Sequence, residues 1–101
     1  EQVMATHART SFNFAARFLP PAERRAATDL YAFFRTLDDL VDEARPEQTP
    51  TVRRELDAWR EWLTSDRRQQ GPREPLAGSI SRVIDQHTIP IDIFLHMLDG
   101  L

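Results

Sequence analysis

Acidic side chains crowd the end of a strongly helical segment that runs from Tyr31 to Glu43. The four acids are Asp38, Asp39, Asp42 and Glu43. A helix C-terminus carries a partial negative charge, so each carboxylate there costs roughly 0.3–1 kcal/mol. Asp38 and Asp42 are also i,i+4 neighbours, which adds like-charge repulsion of about 0.2–0.5 kcal/mol. A sequence that keeps these charges together indicates a bound cation.

One side of the same helix carries a line of polar groups, which we call the polar stripe. At about 100° per residue, its members fall within an arc of roughly 60°. They are Tyr31, Arg35, Asp38 and Asp42. An apolar arc lies directly beside the polar stripe, so we expect the stripe to border the core instead of facing open water. Asp39 falls further round, toward the polar side of the helix.

The spacing of Asp38 and Asp42 suits a divalent cation, because it places two carboxylates one helical turn apart. Mg²⁺ takes one or two protein carboxylates and completes its shell with water and phosphate oxygens. Arg35 can pair with a phosphate through its planar guanidinium, and Tyr31 can donate a hydrogen bond or line a pocket. The pattern therefore predicts a magnesium–diphosphate site.

A purely structural interpretation of the same residues stays open at this point. In it, the acids form a solvated helix end. Arg35 then pairs with Asp38 or Asp39 at i,i+3 or i,i+4, and each such pair contributes only about 0.2–0.5 kcal/mol.

Helical spacing of apolar residues predicts an all-α fold. We expect helices over about residues 4–18, 21–44, 51–68 and 75–87, and a last one from about Pro90. Pro21 suits a first helical turn, and Thr49 or Thr51 is a candidate N-cap of the third helix. Because Pro46 and Pro50 disfavour helix before them, residues 44–50 are expected to form a connector.

The expected core follows from the same spacing. On the first helix it comprises Ala8, Phe12, Ala15, Ala16 and Phe18, and on the second Leu30, Phe33, Phe34, Leu37, Leu40 and Val41. Trp59, Trp62 and Phe94, with Met4 and Met97, are further core candidates. His7, His87 and His96 have no metal-ligand spacing with one another, and the last two are expected to be partly buried or at the surface.

Length and composition exclude several classes of protein. A chain of 101 residues is at most one domain or part of one, and its net charge of −3 gives no basic footprint for nucleic acid. The chain has no cysteine, so the cytosol is the default compartment. We find no apolar run long enough for a membrane span and no signal-peptide pattern. The chain begins without Met and stops within an apolar pattern, so we read it as a fragment.

Several motifs in one order resemble the N-terminal part of squalene/phytoene synthases, the head-to-head trans-isoprenyl diphosphate synthases. The motifs are Ser11-Phe12, Leu19-Pro20, Arg24-Arg25, residues 30–35 (LYAFFR) and residues 38–43 (DDLVDE). Order and gaps match throughout residues 8–43, which is more specific than the aspartate spacing alone. Ile89-Pro90, Phe94 and Asp99-Gly100 resemble a later helix of the family more weakly.

The resemblance implies an all-α isoprenoid-synthase bundle around a central cavity, with residues 1–101 as its N-terminal part. It implies Mg²⁺-dependent coupling of two prenyl diphosphates through a cyclopropyl diphosphate intermediate, in carotenoid or hopanoid biosynthesis. Carried over to this chain, Asp38 and Asp42 would be Mg²⁺ ligands with Asp39 in support. The diphosphate would meet Tyr31, Arg35 and Ser11, and Phe12 and Phe34 would line the cavity.

Two departures from the family pattern bear on these expectations. Thr10 stands where many members have a basic residue before the Ser-Phe pair, and the second aspartate-rich helix is absent. This chain alone is therefore expected to be inactive, and the rest of the site must come from further polypeptide. A non-catalytic assembly or interaction protein with the same fold remains the alternative. The prenyl length (C15 or C20) and the final product stay open. The products of such a reaction are apolar, which favours a peripheral membrane association.

Overall fold

Helices make up all the regular secondary structure in the part of the chain that the computed structural model describes, which is the backbone of residues 2–101 and the side chains of residues 8–101. In chain order the elements are α1 (Gln2–Ala16), α2 (Arg24–Asp42), a short 3₁₀ helix (Pro46–Gln48), α3 (Thr49–Thr64), α4 (Leu76–His87) and α5 (Ile91–Asp99). The predicted all-α fold with five α-helices is confirmed. Across these residues, no helix has both the length and the apolar character that crossing a bilayer requires.

The core lies where α2 and α3 meet α4 and α5. Helix α1 packs mainly against α5, and α2 mainly against α4. Phe33 is central, because its ring meets the rings of Trp59 and Phe94 edge to face, at centroid distances of 5.2 and 5.7 Å. The largest fully buried side chains are Trp59, Phe33, Phe94, Leu30, Leu37, Leu63, Ile80, Met97 and Leu98. The predicted burial of Trp59, Trp62, Phe94 and Met97 is confirmed.

The connection between α1 and α2 differs from the prediction at both ends. Helix α1 ends at Ala16, so Phe18 lies outside it and is exposed, and its expected place in the core is wrong. The amide of Glu23 donates to the carbonyl of Pro20 at 3.0 Å, which closes a turn around Pro21. Proline suits the second position of such a turn as well as a first helical turn. Helix α2 therefore begins at Arg24 instead of near Pro21.

The predicted connector over residues 44–50 is largely helical. It contains the 3₁₀ helix, and α3 begins at Thr49 with Pro50 in its first turn, where a missing N–H costs no hydrogen bond. Neither threonine caps α3, because Gln48 occupies the cap position and makes no side-chain cap bond. The C-terminal end of α3 also differs from the prediction. The helix ends at Thr64, and the Ser65 hydroxyl donates to the carbonyl of Trp62 at 2.6 Å.

The expectation that two of the histidines are partly buried or at the surface is confirmed. His87 is half-buried at the end of α4, and His96 is exposed on α5. His7 and Met4 lie outside the residues whose side chains are described.

Glu74 connects the loop before α4 to the helix itself. One carboxylate oxygen accepts the amide of Gly71 at 2.8 Å, and the other accepts the amide of Gly78, in the first turn of α4, at 3.1 Å. Amides in a first helical turn have no partner within the helix, so this side chain satisfies one of them. The loop and the start of α4 are thereby held together.

Candidate active site

The buried face of α2 fixes where its polar stripe points. Leu30, Phe33 and Leu37 are almost fully buried, so the adjoining side of the helix lies at the edge of the core. Asp38, next to Leu37 in the chain, lies at that edge, and only 15% of its side chain is exposed. The expectation that the stripe borders the core is confirmed for this residue.

The rest of the polar stripe faces solvent, which corrects the prediction for three of its four members. Tyr31 is 54% exposed, the Arg35 side chain is 56% exposed, and Asp42 is exposed as well. Helix α2 packs mainly on α4, and α1 covers only a small part of its other side. The described helices therefore leave this ridge open, and the stripe residues do not line the grooves on either side of α5.

Aromatic rings from two helices meet beside the ridge. Phe12 of α1 lies 5.2 Å from Phe34 and 6.2 Å from Tyr31, measured between ring centroids. Phe34 is nearly buried and Phe12 is half-buried, so these rings form an apolar wall next to the acidic end of α2. The structure thus brings Phe12, Phe34 and Tyr31 together, as the prediction of a shared cavity lining requires.

Arg35 is already paired within the helix. Its guanidinium lies 3.4 Å from a carboxylate oxygen of Asp39 and 3.9 Å from one of Asp38. These are the i,i+4 and i,i+3 pairs that the solvated-end interpretation anticipated. Both are partly solvent-exposed, so each is worth little and can exchange with another ion.

The crowding of acids on α2 affects the pKa of Asp38. Its burial raises the pKa of the Asp38 carboxyl above the ordinary value, and the negative charges of Asp42 and Asp39 raise it further. Arg35 of the same helix and Arg9 of α1 act in the opposite direction and lower the pKa. An added cation beside Asp38 would relieve the same strain that burial and the neighbouring carboxylates impose.

The donor set fits a hard cation only with help from outside this chain. Among the described residues, no three histidine or acidic side chains are placed to hold a metal ion. Asp39 lies further round the helix and is paired with Arg35, so the structure does not bring it into a three-carboxylate cluster with Asp38 and Asp42. Two carboxylates one turn apart nevertheless suit Mg²⁺ when water and phosphate oxygens supply the remaining ligands.

Ser11 lies on a different side of α1 from Phe12. It lines an open groove of about 550 Å³ between α1 and α5, together with Phe14, Asp92 and His96. None of the polar stripe lines this groove, so the structure does not unite Ser11 with the predicted diphosphate residues. The burial of α1 against α5 determines this orientation, and the sequence pattern carries no direct signal for it.

Arg9 is a residue that the sequence analysis missed. It precedes Phe12 by three residues, which places both on one face of α1, and its charge acts on Asp38 across the helix pair. The available signal was this i,i+3 spacing, which becomes informative only when the contact of Phe12 with α2 is known.

Comparisons with known proteins agree on one family. The family model for squalene/phytoene synthase matches residues 5–101. Phytoene synthase from Mycobacterium bovis is 32% identical over 101 positions, which cover 99% of this chain and 31% of the relative. Phytoene synthase 1, chloroplastic, from Solanum lycopersicum is 30% identical over 100 positions, or 99% of this chain and 23% of the relative. Presqualene diphosphate synthase from Zymomonas mobilis is 43% identical over 51 positions, or 50% of this chain and 17% of the relative.

Fold and site together define the class: the all-α architecture is that of the isoprenoid synthases, and an aspartate pair on α2 lies beside aromatic rings from α1 and α2. The chain belongs to the squalene/phytoene synthase family. It spans about a third or less of the length of the curated relatives it matches. No solved structure matches it.

Proposed function

We propose that the protein carrying this chain is a Mg²⁺-dependent prenyltransferase that couples two prenyl diphosphates head to head. The reaction passes through a cyclopropyl diphosphate intermediate and releases diphosphate. The observation that carries the proposal is the aromatic wall of Phe12 and Phe34 beside Asp38 and Asp42, two acids of α2 one turn apart, with Asp38 at the edge of the core. Membership in the family supports it, as do relatives named phytoene synthase and presqualene diphosphate synthase.

In this proposal each residue of the ridge has a separate task. Asp38 and Asp42 hold the metal, and Arg35 exchanges its exposed pair with Asp39 for a phosphate oxygen. Tyr31 donates a hydrogen bond to the diphosphate. Bound there, Mg²⁺ would supply Lewis-acid neutralisation of the charge that develops on the departing diphosphate.

The aromatic side chains protect the apolar end of the substrate. Phe12 and Phe34 exclude water from the reacting carbon atoms, and each ring stabilises a developing carbocation by about 0.5–2 kcal/mol. Ser11 keeps its predicted role near a diphosphate oxygen only if further polypeptide brings the groove between α1 and α5 and the ridge together. The chain alone leaves the ridge open to water, so we propose that the remaining polypeptide closes the cavity. The apolar products favour a peripheral membrane association.

Product analysis tests the proposal. The full-length protein is incubated with Mg²⁺ and isotopically labelled farnesyl or geranylgeranyl diphosphate, and the products are identified by mass spectrometry. We expect a coupled C30 or C40 product, and we expect Asp38→Asn and Asp42→Asn to abolish turnover with little loss of helix content. Glu43→Gln is the matched control, since Glu43 lies at the end of α2 outside the polar stripe. Full activity of either aspartate variant would refute the ligand assignment, and absence of any coupled product would favour the non-catalytic alternative.

A further inference from the structure

The contact between α1 and α2 sets a register that reaches beyond the aromatic rings. Helices joined by a short connection run in roughly opposite directions, so a step back along α1 is a step forward along α2. Phe12 meets Tyr31 and Phe34. Arg9 lies one turn before Phe12, and Asp38 lies one turn after Phe34. The register therefore places Arg9 opposite Asp38.

The charge of Arg9 acts on the Asp38 carboxylate across the helix pair, which agrees with the position that the ring contacts give. Two guanidinium groups, of Arg9 and Arg35, thus act on one carboxylate from two different helices. Arg9 is exposed, and no carboxylate in the described part of the chain lies within 4 Å of it, whereas Arg35 is held by Asp38 and Asp39. Within residues 8–101, no carboxylate therefore holds the guanidinium of Arg9.

We propose that Arg9 is a further diphosphate-binding residue, which approaches the anion from α1 while Arg35 approaches it from α2. The inference rests on the proposed function, in which Asp38 and Asp42 would hold Mg²⁺ and the diphosphate would bind beside them. Five N–H donors in a planar fork match the oxygens of a diphosphate, and a second arginine offsets charge that one arginine leaves unpaired. The residue contacts the diphosphate and not the prenyl chain, so its effect is independent of chain length.

Binding of inorganic pyrophosphate in the presence of MgCl₂ tests the proposal without turnover. Isothermal titration calorimetry is performed on the full-length protein. We expect Arg9→Gln to raise the Kd of pyrophosphate about tenfold, the usual effect of losing one hydrogen bond to a charged group. Arg9→Lys keeps the charge but not the fork, and we expect a smaller loss of about threefold.

Arg17→Gln is the matched control. Arg17 directly follows the end of α1, and its guanidinium stacks over the ring of Phe14 at 5.8 Å. We expect its Kd to equal that of the wild type. A melting temperature lowered by Arg9→Gln with unchanged pyrophosphate affinity would show a merely structural role and overturn the inference. If Arg9→Gln does not fold, wild-type affinity in Arg9→Lys overturns it instead.

The failures of the two proposals are distinguishable. If Asp38→Asn loses pyrophosphate binding while both Arg9 variants bind normally, the role of Arg9 is refuted and the metal–diphosphate site stands. If the wild-type protein does not bind pyrophosphate with Mg²⁺, the proposed function fails and the inference fails with it.

Discussion

The guanidinium of Arg35 lies 3.4 Å from a carboxylate oxygen of Asp39, in an ion pair that solvent reaches from outside. Such a pair is worth about 0–1 kcal/mol, so it holds the arginine in place without committing it. Both interpretations drawn from the sequence meet here. The helix end is partly solvated and internally paired, and an exposed pair of this kind leaves Arg35 free to take the role given to it in the proposed function.

Replacement of Asp38 by Asn should stabilise the protein at neutral pH. The pKa of Asp38 is raised from 3.8 in the folded state, mainly by burial, so its charged form destabilises the fold. This penalty is absent below about pH 3.8, where the carboxyl is protonated in both states; it grows as pH rises from there to the raised folded pKa and is complete above it. We expect the free energy of unfolding of Asp38→Asn at pH 7 to rise by about 0.3–1 kcal/mol, with the gain vanishing near pH 3.

Urea denaturation between pH 3 and pH 7 measures this effect. Glu61→Gln, at an exposed position of α3, is the control for the removal of one carboxylate. A less stable Asp38→Asn protein at pH 7 would contradict the prediction. Higher stability combined with lost turnover would show a carboxylate retained for function at the expense of the fold.

Gly71 should not tolerate a side chain. A Cβ at this position would lie 2.2 Å from the Cβ of Ala77 and 3.1 Å from a ring carbon of Trp62. Because Ala77 is fully buried on α4, the loop must move, and we expect Gly71→Ala to cost about 1–3 kcal/mol in the free energy of unfolding.

Gly78→Ala, at the same junction between the loop and α4, should stabilise the protein instead. Its Cβ would have no neighbour closer than 3.4 Å, and Ala has a higher helix propensity. We expect a gain of about 0.5–1 kcal/mol. Equal effects of the two substitutions in thermal or urea unfolding would refute the contact geometry at Gly71.

Arg73 ties the loop before α4 to α3. It forms two hydrogen bonds with Glu55, one at 3.0 Å and one shorter, and Glu55 also accepts the indole N–H of buried Trp59 at 3.2 Å. The bond to Glu55 is the main reason that the pKa of Arg73 is raised. We expect Arg73→Gln to lower the free energy of unfolding by about 0.5–1.5 kcal/mol. Arg68→Gln, where the arginine side chain forms a 3.7 Å exposed pair with Asp66, should change the free energy of unfolding far less in the same urea experiment.

Thr88 ends α4 in a conformation that disfavours its side chain. Its φ is 52°, in the left-handed region, and the next amide, of Ile89, donates back to the carbonyl of Ile84 at 3.2 Å. Glycine is the usual residue at such a helix end, because a β-branched side chain is strained there. We expect Thr88→Gly to raise the melting temperature, with a gain of about 0.5–1.5 kcal/mol. A lower melting temperature would mean that the Thr88 side chain stabilises the loop more than its backbone conformation costs.

The sequence pattern predicts most of the features that repeat with the helical period, such as which side of a helix is buried. The apolar residues of α2 recur with this period, so the burial of Leu30, Phe33 and Leu37 and the neighbouring position of Asp38 follow from local geometry. Helix ends are less predictable, since the same proline suits a turn or a first helical turn. Pro21 occupies the turn, and Pro50 lies in the first turn of α3.

Features that depend on packing between helices could not be predicted. Ser11 and Phe12 are adjacent in the chain, yet the side of α1 that carries Ser11 faces α5, whereas Phe12 contacts α2. The exposure of Tyr31 and Arg35 depends on how little of α2 is covered by α1. The position of Arg9 opposite Asp38 likewise requires the register between two helices, which no single segment encodes.

Phe33 has a consequence for the neighbouring chemistry. Its ring is wedged edge-on between an indole from α3 and a phenyl ring from α5. Turning α2 about its long axis would pull that ring out of both contacts, at the cost of several buried hydrophobic interactions. The rotation of α2 about its axis, and with it the direction of the Asp38 and Asp42 carboxylates, is therefore fixed from the opposite face of the helix. In the proposed function, an anion that binds there would need only side-chain torsions to rearrange.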